Sequence, residues 1–367
     1  MSFKKNIRFL HKWLGLLSGL IVFIVSITGC IYCFHDEIKD ATRSYRKVSI
    51  EVHDYVPPSY LQQKTKKLFS GATTEMVIFY GKDRSAIVYG SLNHRSYRFY
   101  YNPYSGVFLG EEDVEKDFFT IIENIHMHLL FPPEIGKQVV GISTIIFIVM
   151  LISGIILWWP KKKKDFKNRF KIKWSAKWRR VNYDWHNVTG FYISVVAFVI
   201  AVTGLSFSYH WVHDGLYYVG NLGQNYPNEN VAIRITPAVA SVKAPVDLAL
   251  QTAMNIKPED EMFFVWEQGN KNPIITGSYP KAWHFDHQTN LSFHPTSGQL
   301  LQQNLYENKS AGMKLQEMNY GLHTGQYFGL TGKILAFIAS FFVALLPITG
   351  FVILYGRKNK KLKKNQK

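Results

Sequence analysis

The sequence predicts an α-helical membrane protein, a bundle of four transmembrane helices built from two repeats of helix, outside domain and helix. The first observation behind this prediction is a set of four apolar runs, at about 12–34, 136–159, 187–210 and 327–355. Each run is long enough to cross the roughly 30 Å hydrocarbon layer of a bilayer as a helix. The second observation is that distinctive residues of the first half return in the second half at a fixed spacing, which indicates a duplicated architecture.

The repeat pairs the first span with the third and the second span with the fourth. At an offset of 175 positions, His11, Gly15, Thr28, Gly29 and His35 correspond to His186, Gly190, Thr203, Gly204 and His210. Gly136 precedes a Ser153-Gly154 pair in the second span by 17 and 18 positions. Gly332 precedes a Thr349-Gly350 pair in the fourth span by the same spacing. Both halves are therefore expected to begin on the same side of the membrane.

The formal net charge of +17 indicates membrane topology rather than nucleic-acid binding. Three short flanks, at 1–13, 160–184 and 356–367, hold 22 of the 43 Lys and Arg residues. Such an excess beside membrane spans is typical of cytoplasmic segments, so we expect both termini and the middle flank to be cytoplasmic. We also expect the first span to be retained, because it is too long, and too closely repeated, to be a cleaved signal peptide. No nucleic-acid partner is expected.

The segments outside the membrane are predicted to form two small α+β domains. Residues alternate as in strands near 75–80, 86–91, 262–268 and 274–279, and helices are predicted at 62–70 and 111–130. A Pro-x-Ser-Gly turn joins two strand-like runs in each segment, after Asn102 and after His294. The predicted boundaries are helix 1 at 1–35, an outside domain at 36–125, helix 2 at 126–160, a basic loop at 161–183, helix 3 at 184–211, an outside domain at 212–318, helix 4 at 319–356 and a basic tail at 357–367.

Histidines are predicted at both ends of the bundle, opposite small residues. His11 and His186 lie at the cytoplasmic ends of helices 1 and 3. His126, His128 and His323 lie at the outer ends of helices 2 and 4. The first two of these are about 200° apart around a helix, so only one of them can face the bundle centre. At each end the other two helices carry a glycine preceded by Ser or Thr: Gly29 and Gly204 at the outer end, Gly154 and Gly350 at the inner end.

This arrangement fits two bis-histidine haems, one at each end of the bundle. Two imidazoles must approach the iron from opposite sides, and the macrocycle needs space where helices otherwise pack. The pattern alone does not separate haem from another cofactor or metal. His35 and His210 form an alternative outer pair, although they are rotated by about 240° from the histidines that begin each repeat. Cys30 and Cys33 are read either as a redox pair or as buried apolar side chains.

The chain resembles the PepSY-associated transmembrane family over nearly its whole length. The motifs that carry the resemblance are His11-Lys-Trp-Leu-Gly15, His126-x-x-Leu-Leu130, Ser153-Gly-Ile-Ile-Leu-Trp-Trp-Pro160, Asp184-Trp-His-x-x-x-Gly190 and Leu322-His-Thr-Gly325. The two hairpin turns resemble those of the family's PepSY-like periplasmic domains, with Asn102 and His294 in place of the usual Asp. The resemblance implies two molecules of haem b, an inner one bound by His11 and His186 and an outer one bound by His126 and His323. It favours His126 over His128.

Within that family, the chain is most similar in character to bacterial inner-membrane siderophore-iron reductases. The resemblance implies electron transfer across the inner membrane to a ferric siderophore or similar ferric chelate, which then releases ferrous iron. The sequence has no Gly-x-Gly-x-x-Gly dinucleotide motif, so the expected electron donor is a quinol or a separate reductase. Four basic residues near the inner end are candidates for binding haem propionates: Arg8, Lys12, Arg179 and Arg180. The alternatives are a membrane-anchored PepSY binding or signalling module without enzymatic activity, and an iron-chelate transporter.

Overall fold

The computed structural model describes residues 3–160, 162, 166–226, 229 and 233–365, with side chains up to residue 356. The described residues form two compact units. The first unit takes its residues from 1–34, 122–214 and 322–367, and the second from 35–121 and 215–321. Residues 161 and 163–165 of the predicted basic loop, and the side chains of the predicted basic tail, lie outside the described part of the chain.

Four helices among the described residues are long and apolar enough to cross a membrane, which confirms the four predicted spans. They are α1 (Phe3–Cys33), α5 (Pro133–Trp158), α7 (Trp178–Ser208) and α12 (Gly329–Asn365). The shorter helices are α2 (His35–Thr42), α3 (Pro58–Leu68), α4 (Phe118–His128), α6 (Phe166–Arg169), α8 (His210–Gly220), α9 (Pro245–Ile256), α10 (Ala311–Glu317) and α11 (Asn319–Thr324).

The four long helices pack as a square bundle. Helix α1 contacts α5 and α12, and α7 contacts the same two helices, so α1 and α7 are diagonally opposite. The centre of the bundle is apolar and includes Leu151, Ala197 and Val343. The outward faces are also apolar, since Leu17 and Val195 are 70% and 72% exposed. Apolar side chains all around a helix are expected where the surroundings are lipid.

The second span begins later than predicted, and His126 lies on a separate helix before it. Helix α4 ends at His128, and Leu129 and Leu130 then take left-handed conformations with φ of 54° and 60°. Pro133 is the first residue of α5, a position where its missing N–H leaves no intrahelical hydrogen bond unmade. The helix predicted at 111–130 begins only at residue 118, because residues 108–113 form a strand.

The fourth span is separated from its histidine in the same way. His323 lies in α11, which ends at Thr324. Gly325 and Gly329 follow with φ of 81° and 61°, in the left-handed region that glycine enters without a steric penalty. The predicted boundary of helix 4 at 319 therefore covers two helices, and each histidine at this end of the bundle sits on a short helix joined to its span by a turn.

The second unit contains one sheet where two separate domains were expected. Its strands are β1 (Thr73–Phe79), β2 (Ala86–Leu92), β3 (Arg95–Tyr101), β4 (Phe108–Asp113), β5 (Met262–Trp266), β6 (Ile274–Tyr279), β7 (Thr289–Phe293) and β8 (Leu300–Asn304). They follow the order β4-β3-β2-β1-β5-β6-β7-β8. Strands β1 and β5 pair antiparallel from Met76 with Trp266 to Phe79 with Phe263. This pairing satisfies two edges that separate domains would leave open.

Each half of the sheet contributes four strands and one covering helix. Helix α3 packs on β1 and β2, and α9 packs on β5, β6 and β7. Their shared core includes the fully buried residues Leu61, Val77, Ala249 and Phe293. The α+β character predicted for both segments is therefore present, and the duplication in the sequence corresponds to two similar halves of one unit.

The two predicted hairpin turns are present and are closed by equivalent side-chain atoms. Oδ1 of Asn102 accepts from the backbone N–H groups of Tyr104 and Ser105 at 2.8 and 3.0 Å. Nδ1 of His294 accepts from the N–H groups of Thr296 and Ser297 at 3.1 and 3.2 Å. An aspartate would accept the same two bonds, so both replacements keep the turn.

Candidate functional site

His126 and His323 form a pair at one end of the bundle, with ring centroids 6.0 Å apart. Nδ1 of His126 lies 2.9 Å from the carbonyl oxygen of Val25, and Nδ1 of His323 lies 2.9 Å from that of Ile200. A carbonyl oxygen can only accept, so each Nδ1 must carry a proton and donate. In a neutral ring the other nitrogen, Nε2, then has its lone pair available to a metal.

A Thr-Gly pair on a spanning helix seats each of these two rings. Oγ1 of Thr28 lies 3.2 Å from Nδ1 of His126, and Oγ1 of Thr203 lies 3.2 Å from Nδ1 of His323. Both hydroxyls donate to carbonyls of their own helices, which leaves them as acceptors for the imidazole N–H. A Cβ at Gly29 or Gly204 would lie 3.2 or 3.0 Å from Cε1 of the ring beside it. The glycines therefore let the rings lie directly on α1 and α7.

His11 and His186 are seated in the same way at the other end of α1 and α7. Nδ1 of His11 lies 2.8 Å from Oγ of Ser153, and Nδ1 of His186 lies 2.8 Å from Oγ1 of Thr349. Both hydroxyls donate to carbonyls one turn back, so they accept from the histidines. Nε2 is again the nitrogen without the proton.

The small residues at this end also contact the rings. A Cβ at Gly154 would lie 3.5 Å from Cε1 of His11, and one at Gly350 would lie 3.5 Å from Cε1 of His186. The sequence predicted these small pairs at the same end of the bundle as the histidines, beside the edge of a macrocycle. In the structure each pair holds an imidazole. A signal for this role was present, since Ser or Thr precedes all four glycines.

The Nε2 atoms of these four histidines take part in no hydrogen bond formed within the described part of the chain. His294 in the second unit provides a contrast, because its Nδ1 accepts two backbone bonds and its Nε2 donates to the carbonyl of Thr236 at 2.6 Å. A histidine with a structural role uses both nitrogens. Metal-binding histidines instead anchor one nitrogen and offer the other, which is the pattern of the two pairs.

A cavity of about 350 Å³ is lined by both His11 and His186. Its walls include five glycines, Gly15, Gly19, Gly154, Gly190 and Gly350, among apolar side chains. Arg8 and Lys12 also line it. Mostly apolar walls with two cations suit an apolar ligand that carries carboxylates.

The basic residues predicted to bind propionates thus divide into two groups. Arg8 and Lys12 line the cavity between His11 and His186. Arg180 instead donates to the buried carboxylate of Asp184 at 2.9 Å, and Arg179 stacks over Trp178 at 5.7 Å. Only the two residues on α1 are therefore positioned for a ligand in this cavity.

The donor set at each site fits haem. Among the described residues no group of three or more His, Cys, Asp or Glu side chains could hold a metal ion. Two imidazole donors are fewer than a zinc site needs, whereas a haem brings its other ligands with it and would need only two from the protein. His126 and His323 would supply two, with ring centroids 6.0 Å apart.

The alternative histidines lie elsewhere. His128 ends α4, and a Cβ on Gly136 would lie 2.2 Å from its carbonyl oxygen, so its backbone packs against the start of α5. Nε2 of His35 lies 3.3 Å from Oδ1 of Asp36 at the start of α2. His210 is exposed at the start of α8. Of the histidines predicted at the outer end of the bundle, His126 and His323 are the two that the structure brings together.

Cys30 and Cys33 are free and buried in the last turn of α1. Sγ of Cys33 donates to the carbonyl of Lys333 at 3.2 Å, and Sγ of Cys30 lies 3.6 Å from that of Phe337. Both thiols thus pack between α1 and α12. This environment agrees with the interpretation of the two cysteines as buried apolar side chains.

The fold and the histidine pairs define a four-helix membrane protein that offers a two-histidine site at each end of its bundle. The chain belongs to the family described as PepSY-associated TM region, which matches residues 8–358 and so covers nearly its whole length. The resemblance in the sequence motifs is thereby confirmed. A comparison with curated proteins found no match.

Proposed function

We propose that this protein is a haem-b oxidoreductase that passes electrons across a bacterial inner membrane to a ferric siderophore or a similar ferric chelate. The observation that carries the proposal is the set of four histidines anchored through Nδ1 and arranged as two pairs. His11 and His186 would hold one haem, and His126 and His323 the other. A haem held by two imidazoles at such a site would supply single-electron transfer rather than oxygen binding.

The protein's own contribution is to fix the ligands and their distance. The hydrogen bonds at Nδ1 hold each ring in one tautomer and orientation. They also make Nε2 a better metal ligand. Helix α1 carries both His11 and Gly29, which are 18 residues or about 27 Å apart along a helix. Helix α7 repeats this spacing with His186 and Gly204. The two sites are thus separated by most of a bilayer and held on the same two helices.

The direction of transfer is supported by charge. The Lys and Arg residues concentrated beside His11 and His186 support a cytoplasmic position for that end, and the predicted outside segments would then be periplasmic and PepSY-like. The substrate class is supported by the family resemblance and by iron chemistry. The hard oxygen donors of siderophores hold Fe(III) far better than Fe(II), so reduction releases the metal.

The decisive experiment is a visible spectrum of the purified protein, oxidised and reduced with dithionite, after expression with sufficient haem. The expected result is a Soret band with sharp reduced α and β bands, and about half the haem content in a His11→Ala/His186→Ala variant. His53, an exposed histidine of the second unit, provides the control as His53→Ala. Protein without Soret absorption, or a double variant with unchanged haem content, would contradict the proposal.

Substrate reduction is tested separately in proteoliposomes. The reduced protein should convert an external ferric siderophore to ferrous iron, followed with a colorimetric ferrous chelator. The His126→Ala/His323→Ala variant should lose this activity because it lacks the site nearest the proposed substrate. Uptake of the intact chelate without an electron donor would favour a transporter instead.

A further inference from the structure

A second opening lies between α7 and α12, next to His186 but outside the cavity between the histidines. We call it the tryptophan groove. Its volume is about 590 Å³, and its walls include Trp178, Asn182, Trp185, Leu345, Ile348 and Thr349. Trp178 and Ile348 are 63% and 48% exposed on the bundle's outer surface. The groove is therefore open toward the position of the lipid.

One wall residue of the groove, Thr349, also anchors His186. Oγ1 of Thr349 accepts from Nδ1 of His186 at 2.8 Å. The backbone carbonyl of the same threonine accepts from Nδ2 of Asn182 at 3.1 Å. A ligand in the groove would thus be separated from the imidazole of His186 by one side chain.

Asn182 also presents a polar atom to the groove. Because the partner of its side chain is a carbonyl, the amide must point its NH₂ group toward Thr349. This orientation leaves Oδ1 as an acceptor, and no hydrogen bond within the described part of the chain uses it. A hydroxyl group of a ligand would supply the missing donor.

The groove breaks the symmetry of the repeat. Across the 175-residue offset, Trp178, Asn182 and Trp185 correspond to Phe3, Ile7 and Leu10. The equivalent face of α1 therefore has neither the amide nor the indoles. Tryptophans that served only as interfacial anchors would not require the asparagine between them. The difference indicates a role that the His186 side of the bundle has and the His11 side lacks.

We propose that the tryptophan groove binds a membrane quinol, which is the electron donor of the proposed oxidoreductase. The ring of the quinol would stack with the indoles of Trp178 and Trp185, and its hydroxyl would donate to Oδ1 of Asn182. The apolar tail would follow Leu345 and Ile348 into the lipid. This inference rests on the proposed function, since it supplies electrons to the His11 and His186 site.

The chemistry balances without another reactant. Oxidation of one quinol to the quinone breaks two O–H bonds, releases two protons to the aqueous phase at the basic end of the bundle and gives up two electrons. The electrons leave one at a time through the His186 side of the bundle. Two ferric ions of the chelate become ferrous, so one quinol is consumed for every two irons released.

The first test is independent of haem. The full chain in nanodiscs of phosphatidylethanolamine and phosphatidylglycerol is photolabelled with a short-chain azidoquinone, and the label is located by peptide mass spectrometry. The label is expected within 174–185 or 345–349, and excess unlabelled quinone should compete for it. Labelling spread over the lipid-facing surface, or unaffected by the competitor, would overturn the proposal and would indicate that the groove holds only lipid chains.

The second test measures haem reduction by a short-chain quinol in a stopped-flow instrument. Asn182→Leu and Trp185→Leu should each slow the reduction about tenfold, since each loses one hydrogen bond or one aromatic contact. Asn182→Gln and Trp185→Phe should restore part of the rate. Trp159→Leu, at an exposed tryptophan outside the groove, should leave it unchanged.

The two proposals fail in distinguishable ways. Haem content and the dithionite-reduced spectrum should be the same in all these variants, because none of them removes a histidine. If the spectra are intact and quinol reduces every variant at the original rate, the groove is not the donor site and the proposed function stands. If the protein binds no haem but is still labelled in the groove, the quinol site stands and the proposed function fails.

Discussion

The two histidine pairs share one arrangement, but His11 has fewer acceptors at its ring than the three other histidines. Nδ1 of His126 and of His323 lies near both a backbone carbonyl at 2.9 Å and a threonine hydroxyl at 3.2 Å. Nδ1 of His11 lies near one hydroxyl, at 2.8 Å. Nδ1 of His186 also lies 2.8 Å from a hydroxyl, and the His186 ring in addition bonds to the backbone of Leu346. The first pair stands on the short helices α4 and α11, while the second is part of the long helices α1 and α7.

The difference follows from where the backbone is fixed. His11 lies inside a spanning helix, which already sets its Cα position, so one hydroxyl is enough to orient its ring. A histidine on a short helix beyond a turn lacks this restraint, and a second acceptor from the neighbouring span replaces it. The carbonyls of Val25 and Ile200 can serve because their positions precede Thr28 and Thr203 by one turn, where the threonine hydroxyl also bonds.

The largest expected effect is on haem content, through the loss of one histidine site while the other is kept. His126→Ala should abolish the site that it shares with His323 and leave the His11 and His186 site filled, so the haem content falls by about half. His128→Ala is the matched control, two residues away on the same helix, and should keep the full content. Pyridine haemochrome quantification of both purified variants measures this. Haem loss in His128→Ala with retention in His126→Ala would reverse our choice of ligand.

An intermediate effect tests the unequal anchoring. Ser153→Ala removes the hydroxyl that orients His11 and should weaken haem binding about 10- to 100-fold. Thr28→Val, Thr203→Val and Thr349→Val each leave a backbone acceptor for the histidine in place, and we expect a loss within about threefold. Transfer of haem to apomyoglobin measures the retention. Equal losses in Ser153→Ala and in the three threonine variants would show that the backbone acceptors do not help to hold the rings.

The smallest effect concerns the glycines. A Cβ in Gly204→Ala would lie 3.0 Å from Cε1 of His323, so the ring must shift by a few tenths of an ångström. We expect a cost of about 1 kcal/mol, or about fivefold in haem retention. In Gly350→Ala the distance to Cε1 of His186 is 3.5 Å, an ordinary contact, and retention should be unchanged. A larger loss in Gly350→Ala would contradict the difference in packing between the two ends.

The spans, the repeat and the pairing of histidines with small residues could be predicted from the sequence, because apolar length and fixed spacing are properties of the chain itself. The carbonyls of Val25 and Ile200 could not, since every residue has one and only the fold selects which is near an imidazole. The turn at Leu129 and Leu130 was also missed, because leucine rarely takes a positive φ. The single sheet depends on pairing β1 with β5, and strand patterns carry no information about partners far apart in sequence.

The spacing of 18 residues between His11 and Gly29, and again between His186 and Gly204, has a rotational consequence. At about 3.6 residues per turn it corresponds to five whole turns, so both members of each pair point the same way around their helix. One face of α1 therefore supplies a ligand at one end and a seat at the other. Inserting a single alanine between them would rotate one site by about 100° relative to the other. The number of residues between the two sites is thus fixed by their relative rotation around the helix as much as by the thickness of the bilayer. Insertions or deletions would be tolerated only in steps close to whole helical turns.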